Sequence, residues 1–133
     1  MAVVRSEEAE SFEIEPGIHL MVLTGAETGA AALNAGMATL DPGASLRCHT
    51  HDCEESVSIL VGEAYLVVNG ERKKLEPFDT SVVKADVPHR YVNASDEKVM
   101  TMFWVYASPS AGRTIVDAKL CGSDDAGDDP QEK

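Results

Sequence analysis

AYLVVNGERKKL, residues 64–75, sets an apolar run against a charged one across Asn69-Gly70. Asn and Gly both tolerate the positive φ that a two-residue type I′ turn demands, so the stretch predicts two antiparallel strands folded back on one another. The pattern continues on both sides. Short alternating or apolar runs rich in Val, Ile, Thr and aromatics predict strands near 12–15, 18–24, 35–40, 46–51, 55–61, 63–69, 71–76, 80–84, 88–94, 98–107 and 112–117. Pro16-Gly17, Asp41-Pro42-Gly43 and Ser95-Asp96 supply further turns, and only ETGAAALN (27–34) suggests a short helical or irregular piece. Many short strands with regular turns mean an all-β sandwich or barrel, and periodicity does not choose between the two.

The chain has 133 residues, enough for one domain with an adequate core. We expect a flexible N-terminus at 1–11, a β domain at 12–117 and an acidic, disordered tail at 118–133, with no internal repeat. The formal charge is −12, from 11 Lys and Arg against 23 Asp and Glu, which argues against nucleic acid and anionic membrane partners because phosphate binding needs a basic footprint. Much of the excess lies at the two ends, where solvated termini are the simplest account. No apolar run approaches the roughly 20 residues of a membrane helix, and MAVVRSEEAE lacks the basic-then-apolar layout of a signal peptide, so a cytoplasmic location is expected. Cys48, Cys53 and Cys121 are odd in number and without framework spacing, which fits reduced thiols.

Just before the hairpin, HTHDCEESVSILVG (49–62) gathers two histidines and two adjacent carboxylates within seven positions. Residues of equal parity share a face of a strand, so His49 and His51 lie about 7 Å apart on one side, close enough for both imidazoles to hold one ion. Glu55 has the same parity, although the turn-like Asp52-Cys53 implies that a second strand brings it back. Two imidazoles and a carboxylate suit iron, manganese, nickel or zinc better than calcium or magnesium. His89, in PHRYVN, is a fourth candidate ligand, whereas His19 has no neighbours of ligand type and is expected to face solvent. Cys53 has the parity to approach the ion but is expected to be a bystander, and Cys48 has the wrong parity.

At this point the sequence resembles the cupins, specifically small single-domain members of the RmlC-like superfamily. GASLRCHTHDCEESVSILVG (43–62) carries Gly43, His49, His51, Glu55 and Gly62 at the spacings of the first cupin motif. FDTSVVKADVPHRYVN (78–93) keeps Asp79, His89 and Asn93 of the second, but has Phe78, Lys84 and Asp86 where the pattern has Gly, Pro and Gly. Asp86 is expected to take the left-handed backbone that Gly would supply. The resemblance implies a double-stranded β-helix (jelly-roll) barrel in which His49, His51, Glu55 and His89 bind a divalent transition metal: iron, manganese, nickel or zinc.

Four protein ligands on a metal that prefers six leave positions for a chelating ligand such as a hydroxy-ketone, hydroxy-acid or enediol. The expected function is a metal-dependent enzyme acting on a small oxygenated metabolite, either dioxygenase-like or an isomerase or lyase. A non-catalytic binding or sensing module is the alternative. Tyr65 and Tyr91 are candidate acid–base groups, and no motif for a nucleophile or a phosphate cradle is present. The strand KVMTMFWVY offers the cavity either Met100, Met102, Trp104 and Tyr106 or Val99, Thr101, Phe103 and Val105. A homodimer is expected, with the apolar IHLMVLTG segment pairing with or swapping onto its partner.

Overall fold

A computed structural model describes residues 1–122. Its eleven strands are β1 (Ser11–Glu15), β2 (Ile18–Thr24), β3 (Asn34–Leu40), β4 (His49–Thr50), β5 (Glu55–Val61), β6 (Ala64–Val68), β7 (Glu71–Leu75), β8 (Thr80–Val83), β9 (Arg90–Asn93), β10 (Met100–Tyr106) and β11 (Thr114–Ile115). Each falls inside or within a residue of a predicted run. The helical content among the described residues is three 3₁₀ turns, Ser6–Glu8, Ala26–Thr28 and Ala118–Cys121. Among the described residues no helix is long and apolar enough to cross a membrane.

All pairings are antiparallel. A larger sheet runs β1-β2-β3-β10-β5-β8, and smaller sheets run β7-β6-β9 and β11-β4. Isolated bridges at Ser45–Val92 and His49–His89 stitch the smaller sheets together, giving the expected jelly-roll barrel. The hairpin of β6 and β7 turns through Asn69 (φ 52) and Gly70 (φ 81), both positive as a type I′ turn requires.

The core follows strand parity. Ile18, Leu40, Val57, Ile59, Leu66, Tyr91, Met100, Met102 and Trp104 fill the space between the sheets. From β10, therefore, the set that includes Trp104 points inward. Residues of the other parity on the smaller sheet, Val67 and Val92, join Cys48 and Cys121 in a second cluster on its outer side, flanked by Tyr65 and Val116. The C-terminal segment covers that side: Val116 donates its amide to the Cys48 carbonyl, and Gly70 to that of Cys121.

Two expectations change here. Cys48 and Cys121 are not free thiols but a disulfide, spanning 73 residues, and only Cys53 remains free among the described cysteines. The parity that turns His49 inward turns Cys48 outward, straight at the 3₁₀ turn that carries Cys121, and nothing in the linear spacing announces this. The beginning of the tail, 118–122, is ordered, since that turn is capped by the Asp117 side chain and buries Cys121; the remainder of the expected tail lies outside the described residues. The apolar strand β2 lies between β1 and β3, and the open edges of the larger sheet are β1 and β8.

Candidate metal centre

Two strands facing each other deliver the first two imidazoles. His49 and His89 sit opposite across a narrow antiparallel bridge and exchange both backbone hydrogen bonds, each 3.0 Å, so both side chains leave the same face. His51 follows two residues after His49 and shares that face. Glu55 opens β5, where pairing with Tyr106 on one side and Val83 on the other fixes its inward direction. All four side chains are buried.

Each histidine is oriented by a backbone carbonyl: Nδ1 of His49 by Arg47 (2.7 Å), of His51 by Gly112 (2.8 Å) and of His89 by Val87 (2.8 Å). A carbonyl can only accept, so each Nδ1 carries a hydrogen and Nε2 is the nitrogen left for other work. One ring nitrogen from each of the three lies within 4.8 Å of the others. Glu55 Oε1 stands 3.0 Å from His89 Nε2 and 3.4 Å from His51 Nε2. The His51 contact lacks hydrogen-bond alignment, leaving His51 Nε2 buried without a partner. Pinned, inward-turned imidazoles beside a carboxylate, one with an orphaned nitrogen, have the chemistry of a site for a divalent transition metal.

The electrostatics agree. Burial, reinforced by neighbouring His89, pushes His49 down to about 3, so it is a neutral ligand at ordinary pH. Burial opposes ionisation of Glu55, but the adjoining His51 and His89 rings outweigh it and hold the carboxyl at about 2. His51 is raised: burial pulls it down, yet the Glu55 carboxylate more than compensates.

The two tyrosine candidates part company. Tyr65 lies on the outer face of the smaller sheet with the Arg72 guanidinium 4.4 Å above its ring, remote from the histidines. Tyr91 is inside, its ring centroid 5.9 Å from that of His89, but its hydroxyl is tied to Ser81 at 2.9 Å and burial raises its pKa strongly. Tyr106 is closer: its ring centroid is 4.5 Å from that of His51, and burial likewise keeps the phenol protonated. Asn93, buried, donates to the carbonyls of Leu40, Asp41 and Lys98 and so holds turns rather than a ligand. His19 is exposed beside Asp41, as expected, and Cys53 is half-buried with its thiol pushed up by burial.

From Tyr106 a cavity of about 680 Å³ extends away from the histidines. Trp104, Ile14, Leu20 and Val22 form its apolar walls, and Gly112 and Arg113 form the side nearest His51. Arg113 and Glu15, joined as an ion pair, were not among the residues picked from the sequence. Ser-Ala-Gly-Arg at 110–113 reads as an ordinary turn, and a partner 98 positions away leaves no local signal.

Residues 36–106, more than half of the chain, match the family model for the cupin domain. No curated protein matches. Among solved structures, an RmlC-like cupin from Shewanella frigidimarina superposes with a TM-score of 0.69 at 23% identity, over 81% of this chain and 90% of that one. The polyketide cyclase RemF from Streptomyces resistomycificus gives 0.71 at 18% identity over 87% of both chains. A variant of Bacillus subtilis oxalate decarboxylase OxdC gives 0.74 at 19% identity over 85% of this chain but 31% of that longer one. At these identities the likeness is one of fold.

Proposed function

The chain belongs to the cupin domain family, and on that premise we propose that it is a metal-dependent enzyme acting on a small oxygenated metabolite, with His49, His51, Glu55 and His89 as the ligands of one iron, manganese, nickel or zinc ion. The observation that carries the reading is the fixing of all three Nδ1 atoms by main-chain carbonyls, which leaves Nε2 as the ligating atom on each ring. A core histidine with no task beyond packing has no need of what His51 has, two imidazoles with ring centroids 4.9 and 5.3 Å away and an unpartnered Nε2.

When bound, the ion would supply Lewis acidity toward a chelating hydroxy-ketone, hydroxy-acid or enediol, or, if it is iron, a meeting point for O₂. The chain's own groups do the rest. Glu55 remains ionised and adds the one negative charge among the ligands. Tyr106, protonated and beside His51, is placed to donate a hydrogen bond to a ligand oxygen entering from the cavity. The apolar walls exclude water from that approach. A dioxygenase and an isomerase or lyase are both compatible with this arrangement, and the identity of the ion separates them.

The test is the metal content of protein purified without added metal, by elemental mass spectrometry, wild type beside His89→Ala. The reading predicts close to one equivalent in the wild type, or after loading, and close to none in the variant. Iron would direct the next assay to oxygen consumption, and manganese, nickel or zinc to isomerase and lyase screens. A wild type that cannot be loaded would overturn the reading in favour of a non-catalytic binding module.

A further inference from the structure

We infer that the cavity beside the histidines takes ligands whose body, beyond the chelating oxygens, is planar, apolar and uncharged, and that the Glu15–Arg113 ion pair enforces the exclusion of anions. The chelating end of such a ligand rests on the metal reading above; the charge selection rests on the cavity alone.

A volume of about 680 Å³ is ample for a two- or three-ring molecule. Phe12, Ile14, Leu20, Val22 and Trp104 give it apolar walls. Its ionisable lining is lopsided: among the described residues, Glu8, Glu10 and Glu27 stand at the exposed rim, against a single cation, Arg113. That cation is already matched. Arg113 Nη1 donates to Glu15 Oε2, and the other oxygen of the same carboxylate accepts the Arg47 amide at 3.3 Å. The Glu15 side chain is only 8% exposed and that of Arg113 22%. A ligand carboxylate or phosphate reaching for the guanidinium would have to leave Glu15 buried and uncompensated, a costly exchange, while the three rim carboxylates repel it on the way in. A neutral aromatic body meets no such opposition and can lie against Tyr106, whose ring is backed by Trp104 with centroids 4.8 Å apart.

Trp104 is the only tryptophan in the chain, so intrinsic fluorescence reports directly on ligand entry. The experiment titrates ortho-acetylnaphthol, a neutral hydroxy-ketone, against the same compound carrying a carboxylate on the ring remote from its chelating oxygens. Metal-free and metal-loaded protein are compared, with metal content measured on each. The neutral compound should quench at roughly tenfold lower concentration than the carboxylate in both forms. Glu15→Gln, which releases Arg113, should bring the two to within about threefold by strengthening the carboxylate. If Glu15→Gln does not fold, replacing the exposed Glu8, Glu10 and Glu27 with Gln should narrow the gap in part. Equal binding of the two compounds to wild type, or no quenching by either in protein that holds its metal, sinks the proposal and leaves the metal reading standing. Selective quenching in protein that takes up no metal does the reverse.

Discussion

His49 shows how one side chain ties the centre to the stability of the fold. Burial, and then His89, hold its pKa at about 3 against an ordinary 6.5, so between those values the unfolded chain binds a proton that the folded chain refuses. Stability therefore falls as pH falls through this window, by up to about 1.4 kcal/mol per pH unit. Glu55 acts with the same sign lower down, between 4.5 and about 2. His51, being raised, works the other way, contributing stability that is present below 6.5 and lost as pH rises through its folded value. The expected outcome for metal-free protein is a urea midpoint that drops between pH 6 and pH 4, with the drop flattened in His49→Gln; an unchanged slope in that variant would show that the imidazole is not held neutral by the fold. Glu55 offers a complementary measurement. Glu55→Gln keeps the shape but removes the charge, so metal affinity should weaken about 10- to 100-fold while His89→Ala abolishes it, as followed by competition with a chelating dye. Equal losses would mean that the carboxylate is as indispensable as an imidazole.

The turns around β8 carry a cost that the strands do not. Phe78 and Asp86 stand in the left-handed region, with φ of 76 and 65, at the two places where the cupin pattern has glycine. Asp is among the few residues at ease there, but Phe pays the steric penalty of about 1–2 kcal/mol and is 79% exposed, so its ring recovers little by packing. Phe78→Gly should consequently stabilise the protein by about 0.5–1 kcal/mol, visible as a higher thermal midpoint, whereas Gly70→Ala at φ 81 should lower it. A loss of stability in Phe78→Gly would mean that the exposed ring has a partner. These loops also mark how far sequence reasoning carries. Strands, the Asn69-Gly70 turn and the shared face of His49 and His51 follow from local rules of period two and positive φ, while the left-handed Asp86 and the joining of His89 to the site were legible through the resemblance to the cupin motifs. What was not legible depends on contacts with no local trace. Gly36 is required because a Cβ there would meet the Met21 carbonyl at 2.0 Å and the Trp104 ring at 2.6 Å, the close approach that lets Trp104 lie along the cavity. Likewise the inward face of β10 is decided by its registers with β3 and β5, since both of its faces carry apolar residues.

Taken together, the barrel and its C-terminal segment form one mechanical unit around the HxH strand. The segment pairs β11 with β4, placing Ile115 opposite His49, and the Gly112 carbonyl orients His51. Its far end is fastened twice, by the Cys48–Cys121 disulfide and by the packing of Gly122 on Gly70, where a Cβ on Gly122 would lie 2.1 Å from the Gly70 nitrogen. The bridge thus joins the residue before the first histidine to the end of the segment that steadies the second. Closing a loop of 73 residues removes unfolded-state entropy worth about 4 kcal/mol, a large part of the stability of a domain this size. Such a bridge persists in an oxidising compartment and is rare in a reducing one, which sets it against the reduced thiols expected from the cysteine count. Cys121→Ser, or reduction of the wild type, should lower the urea unfolding free energy by about 2–4 kcal/mol. Cys53→Ser, which leaves the bridge intact, should change it by less than about 0.5 kcal/mol. The coupling to the centre is read separately, at a temperature where the reduced protein remains folded by circular dichroism. If the segment orients His51, reduction should weaken metal affinity several-fold as well, and unchanged affinity in folded, reduced protein would show that β11 stays paired with β4 without its covalent fastening.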